Sequence, residues 1–100
     1  DEIKLEIKVN GDIIEDLAFT GHGCAISQAS TSIMIDTLRG KTIKEAKEIV
    51  KTFIEMIKRE TTNEAELKKL EDAIALKNIS NMPARVKCAL LAWHTIEEMI

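Results

Sequence analysis

The sequence predicts an α+β fold, an antiparallel β-hairpin or small sheet packed against helices. Three observations carry this reading. Ile3, Leu5, Ile7 and Val9 alternate with Glu2, Lys4, Glu6 and Lys8, the period of a half-buried strand with one wet face. Asn10-Gly11 comes directly after, and this pair favours the φ > 0 backbone of a tight type I′ turn. From Cys24 onward the apolar residues recur at helical spacing.

The return strand is expected over Ile13 to Thr20. Ile13, Leu17 and Phe19 supply its apolar content, while Glu15 and Asp16 break the alternation and mark a bulge. A lone hairpin is marginally stable, so helices must cover its apolar face unless a further strand lies outside the sequence. Gly21-His22-Gly23 then frees the backbone for φ > 0 or close approach just before Cys24. The first helix should run to about Leu38, with Ile26, Ala29, Ile33 and Thr37 on one stripe and Arg39-Gly40 as its stop. Small residues at 25, 27, 29, 30 and 32 would let a neighbour approach it closely. Thr42-Ile43-Lys44-Glu45 has the capping-box pattern and opens a helix with Ala46, Ile49, Val50, Phe53 and Ile57 inward. A weaker segment is expected from about Asn63 to Ala75, with Leu67, Leu70 and Ile74 inward. The last helix begins near Pro83 and turns Val86, Ala89, Leu90, Trp93 and Ile96 to the core.

One hundred residues with a 45% apolar share fit one globular domain, taken as residues 1–100. A net charge of −3, three aromatics and no basic block argue against a nucleic-acid partner. No apolar run reaches the roughly 20 residues of a membrane span. The two cysteines are 64 positions apart and form no disulfide framework, so a reduced, cytoplasmic setting is expected. The mixed charges between Lys58 and Lys77 read as a wet helix face.

Cys24 and Cys88 are the candidate chemistry. Each lies near a helix N-terminus, where free N–H groups and the helix dipole favour a thiolate. Without a C-x-x-C pair, two lone cysteines fit equally well as small buried hydrophobes. His22, two residues from Cys24, is a possible substitute ligand or a solvent-facing loop residue. His94 is expected at the surface or in packing.

Gly21-His22-Gly23-Cys24-Ala25-Ile26-Ser27 resembles the second-cysteine motif of the NifU N-terminal/IscU-like iron–sulfur cluster assembly family. Asp1-Glu2-Ile3-Lys4-Leu5 resembles the residues that succeed that family's first cysteine in its C-G-D motif. Pro83-Ala84-Arg85-Val86-Lys87-Cys88 resembles the third-cysteine motif in the form typical of the SufU branch. The resemblance implies a metal site in which Asp1, Cys24 and Cys88 match three of four positions. The family's first cysteine, two positions before Asp1, has no counterpart in this sequence. Lys87 stands where the IscU branch has a histidine ligand. The resemblance also assigns Arg85 to docking on a cysteine desulfurase.

Three functions are open on these grounds. On the SufU resemblance, zinc is held by Asp1, Cys24 and Cys88. A SufS-like, PLP-dependent cysteine desulfurase docks, and one of its histidines frees a cysteine to accept persulfide sulfur for the downstream assembly machinery. The accepting residue in that scheme is the absent first cysteine, so no catalytic residue is assigned here. The second is an IscU-like scaffold for a [2Fe–2S] cluster. The third is a metal-free interaction domain with two packed cysteines.

Overall fold

The computed structural model describes residues 2–60 and 67–100, excluding the side chains at 69, 71, 72, 74 and 75. Strand β1 (Glu2–Asn10) pairs antiparallel with β2 (Ile13–His22). Helices α1 (Ala25–Leu38) and α2 (Ile43–Ile57), a 3₁₀ segment (Lys68–Asn81) and helix α3 (Pro83–Met99) complete the chain. This matches the predicted fold class, with the apolar side of the hairpin facing the helices.

The turn is centred one residue later than Asn10-Gly11. Asn10 pairs with Ile13, leaving Gly11-Asp12 at the corner. Of these two only Gly11, at +63°, has positive φ, which suits a II′ rather than a I′ turn. The bulge falls where Glu15 and Asp16 were expected to disturb the strand. Lys8 pairs with Asp16 and Val9 with Ile14, so Glu15 is the extra residue. That insertion lets Ile14 and Leu17, three positions apart, both enter the core. β2 continues past Thr20 to His22 because Gly21 pairs with Ile3 at φ +119°. A Cβ on Gly21 would overlap the Glu2 carbonyl oxygen.

Burial along β1 falls from Ile3 through Leu5 and Ile7 to Val9, which is 44% exposed. The helices therefore cover the end of the hairpin that leads toward Cys24. At the other end the α1–α2 connection closes on β2. Gly40 N–H donates to Ile14 O (2.8 Å), Ile14 N–H to Lys41 O (2.8 Å) and Ile43 N–H to Asp12 O (2.7 Å).

α1 ends at Leu38 as predicted, but its buried face is not the expected stripe. Ser27, Ser30, Thr31, Met34, Ile35, Thr37 and Leu38 are buried, whereas Ala29 is exposed and Ile26 and Ile33 are only half-buried. The helix has turned by about one residue, or roughly 100°, so that its small hydroxyl residues face α3. Their polar atoms are satisfied. Ser30 Oγ donates to Ala89 O at 2.7 Å, Trp93 Nε1 donates to Ser30 Oγ at 2.9 Å, and Thr31 Oγ1 donates to Ser27 O at 2.7 Å. Hydrophobicity alone mispredicts such a face, because small side chains contribute by permitting close approach.

α2 agrees with expectation. Its capping box is formed by Thr42 and Glu45, and Ala46, Ile49, Val50, Phe53 and Ile57 are all buried. It closes with Arg59 at φ +63°. Arg59 N–H donates to Met56 O and Glu60 N–H to Glu55 O, a Schellman ending with arginine in the position glycine favours. The third segment is 3₁₀ over Lys68–Asn81 and so runs on past the expected end at Ala75. Leu67 and Leu70 are buried, while residues 63–66 and the Ile74 side chain lie outside the described residues. Of the expected wet face, Lys58, Arg59, Glu60, Lys68 and Lys77 are exposed. In α3, Ala89, Leu90, Trp93 and Ile96 are buried and Val86 is half-buried. Trp93 stacks on Phe53 with ring centroids 3.8 Å apart.

Candidate functional site

Cys24 is the N-cap of α1. Its backbone is extended (φ −69°, ψ 166°), and its Sγ accepts from Ser27 N–H at 3.4 Å. Cysteine thus fills the place usually taken by serine, threonine, aspartate or asparagine, satisfying one of the helix's orphan donors. The Ser27 hydroxyl lies 3.5 Å from the same sulfur. Cys88 is in the second turn of α3. Both cysteines are half-buried and neither is in a disulfide.

These surroundings bring the Cys24 thiol down from 9.0 to about 6. The Ser27 hydroxyl contributes most, followed by the Ser27 backbone N–H and the Cys88 thiol. Partial burial opposes them, and the Ile26 N–H adds a little. Every favourable contribution puts a donor against sulfur, the arrangement that stabilises a thiolate. Ser27 is the residue that sequence reasoning missed as a site member. Its signal was the cap-to-third-residue spacing of Cys24 and Ser27, read only as part of a small-residue run.

α1 and α3 are fastened to one another beside Cys88. The Ser30 hydroxyl is bonded to the carbonyl of Ala89, the residue after Cys88, and the Trp93 indole holds that hydroxyl from the other side. Thiolates are soft donors that suit zinc and iron–sulfur clusters, so the pair fits the metal chemistry expected of it. Asp1 lies outside the described residues. Among the described residues no three histidine, cysteine, aspartate or glutamate side chains gather as a metal-binding group. His22 is the last residue of β2, exposed and opposite Glu2. His94 is exposed on α3 with Nδ1 3.6 Å from Glu97 Oε1. Arg85 and Lys87 are exposed on the first turns of α3, beside exposed Met82. Among the described residues no helix is long and apolar enough to cross a membrane.

Comparison with known proteins gives a consistent set of relatives. Residues 1–89 match the family described as NifU-like N terminal domain. The zinc-dependent sulfurtransferase SufU of Bacillus subtilis (strain 168) is 41% identical over 99 residues, covering 98% of this chain and 65% of the relative. The iron–sulfur cluster assembly scaffold protein IscU of Streptococcus pyogenes serotype M1 is 42% identical over 100 residues, covering 100% of this chain and 62% of the relative. This chain thus spans less than two thirds of either protein. Among solved structures, a protein from Fervidobacterium islandicum AW-1, described as a SUF-system iron–sulfur cluster assembly scaffold, superposes with a TM-score of 0.90. It is 44% identical, and the match covers 97% of this chain and 69% of that one. A NifU-like N-terminal structure from Brucella abortus, 20% identical with a TM-score of 0.78, covers 96% of this chain and 65% of its own and shares the fold.

Proposed function

The chain belongs to the NifU-like N-terminal domain family, and on that premise we propose that it serves iron–sulfur cluster assembly as a SufU-type, zinc-binding sulfur-transfer protein. Cys24 and Cys88 hold the metal, with Asp1 as the third ligand that its motif implies. The observation that supports the reading is the Cys24 thiol at the head of α1, held near 6 by the Ser27 hydroxyl and N–H and by the Cys88 thiol. Zinc, when bound, keeps coordinating thiols deprotonated and shielded. The chain's own groups prepare for this. The Ser27 hydroxyl and N–H hold negative charge on Cys24, and the Ser30–Ala89 bond fastens α1 to α3 next to Cys88. Arg85, exposed three residues before Cys88 and so on a neighbouring face of the helix, is the docking residue for a cysteine desulfurase. The setting is cytoplasmic, with the downstream assembly machinery as recipient of the sulfur.

Two measurements test this reading. Protein purified without added metal should contain stoichiometric zinc by elemental analysis, and Cys24→Ala or Cys88→Ala should lose it. The full-length zinc-loaded protein should stimulate desulfurase turnover, and Arg85→Ala should weaken that stimulation while retaining zinc. Absence of zinc together with absence of stimulation would reject the proposal.

A second reading is a scaffold on which a [2Fe–2S] cluster is built as cargo, favoured by the 42% identity to a relative named as an IscU scaffold. Against it stands Lys87, a cation where that branch carries a ligand. Anaerobic reconstitution separates the two. A stable chromophore that passes to an apo-ferredoxin supports the scaffold.

A further inference from the structure

We propose that Ser30 and Trp93 are positioning residues for the metal site, setting the spacing of the two helices that carry its cysteines. The inference rests on the metal reading above. Cys24 caps α1 and Cys88 lies in the second turn of α3, so an ion that takes both sulfurs spans two helices, and its fit depends on their separation. Ser30 is six residues after Cys24, and Ala89 directly follows Cys88. A relay of two hydrogen bonds joins the helices at this level. Trp93 Nε1 donates to Ser30 Oγ at 2.9 Å and Ser30 Oγ donates to Ala89 O at 2.7 Å, all three residues being fully buried.

The direction of the Ser30 hydroxyl sets it apart from ordinary packing. Thr31, Thr37, Thr52 and Thr95 each turn their hydroxyls back to the carbonyl four residues earlier in their own helix, at 2.7, 2.8, 2.8 and 3.0 Å. That local bond is a common outlet for a hydroxyl inside a helix. Ser30 instead reaches across to α3, and the Trp93 indole supplies the donor that its oxygen accepts. The indole is itself held by its stack on Phe53 of α2, with ring centroids 3.8 Å apart. Serine is short, so its bond to a facing main-chain carbonyl ties one helix backbone to the other with little slack. Metal-binding side chains need placement to within about 0.5 Å on rigid elements. Disturbing the groups that orient them costs about 10–100-fold in metal affinity.

The test is a cobalt(II) titration, read by the visible ligand-field bands for geometry and by competition with a chelator for affinity. Far-UV circular dichroism confirms that each variant is folded under the conditions used. Ser30→Ala should weaken cobalt binding by about 10-fold or more and shift the bands. Trp93→Phe keeps a ring beside Phe53 and orphans no buried donor. It should weaken binding in the same direction, and the double variant should be no worse than Ser30→Ala alone. Val50→Ala truncates the core in α2, which carries neither cysteine, and should leave affinity and bands unchanged in the folded protein. Unaltered affinity and bands in Ser30→Ala, or in Trp93→Phe where Ser30→Ala does not fold, would overturn the positioning role and leave the metal reading in place. An equal loss in Val50→Ala would do the same, because lost stability alone would then account for the effect. If the unaltered protein takes up neither cobalt nor zinc, the metal reading fails and the positioning role falls with it.

Discussion

Replacing Ser30 with alanine should cost far more than the loss of one hydroxyl usually does. Ser30 is fully buried, accepts from Trp93 Nε1 at 2.9 Å and donates to Ala89 O at 2.7 Å. Trp93 is also fully buried and stacked on Phe53, so its N–H has no route to water once the serine oxygen is gone. An orphaned buried donor costs about 1–3 kcal/mol, and the second lost bond adds about 0.5–1.5 kcal/mol. Alanine's better helix propensity returns up to about 0.5 kcal/mol. The net loss is about 2–3 kcal/mol, a large share of the ~5–15 kcal/mol that holds a domain folded. Urea unfolding monitored by far-UV circular dichroism, with chelator present so that bound metal adds nothing, is the assay. With a slope of about 1–3 kcal/mol/M for small proteins, the midpoint should fall by about 1 M. Trp93→Phe in the same background should show positive coupling, since the donor that Ser30→Ala orphans is then already absent. A Ser30→Ala shift below about 0.5 kcal/mol, the ordinary scatter of surface substitutions, or additive behaviour of the two changes, would refute the argument.

Gly21→Ala should disrupt the strand pairing beside the site, because its Cβ would overlap the Glu2 carbonyl oxygen in a backbone at φ +119°. Strain of this kind costs about 1–3 kcal/mol before the clash is counted, so thermal unfolding should drop by about 10 °C or more. Arg59→Gly should stabilise by about 1 kcal/mol in urea unfolding, since the Schellman position it occupies costs a side-chain-bearing residue about that much. Ser27→Ala should move the Cys24 thiol up from about 6 toward the usual 9.0, read as a rightward shift in the pH profile of iodoacetamide alkylation. The same depressed value makes the metal-free protein pH-sensitive. The thiolate's contribution to stability is fully present above 9.0 and is lost as pH falls through about 6, so unfolding midpoints measured at fixed temperature across that window should decline toward acid.

The parts legible from sequence were those with a local physical code. Alternation at residues 2–9, the Thr42–Glu45 cap, the Gly40 stop and Pro83 at a helix start each encode their own conformation. The Glu15 bulge was visible as broken alternation. What escaped depended on partners remote along the chain. The buried face of α1 is chosen by its fit against α3, which rewards Ser27, Ser30 and Thr31 over the more hydrophobic Ile26 and Ile33. The turn moved by one residue because Gly11, not Asn10, took the positive φ. For the site, the motifs singled out Cys24 and Cys88, and the structure sets Cys24 at the head of α1 and Cys88 in the second turn of α3. Ser27 went unseen because its role appears only once cysteine is recognised as a helix cap.

Trp93 is the sole tryptophan of the sequence, and it sits where the two cysteine-bearing helices are fastened. Its emission is therefore a label-free gauge of that junction. A blue-shifted spectrum marks the closed state, and a red shift that precedes loss of helical signal would reveal the helices parting while the hairpin and α2 remain folded. The core thus carries its own optical probe for events at the sulfurs, needing no dye at the site being watched.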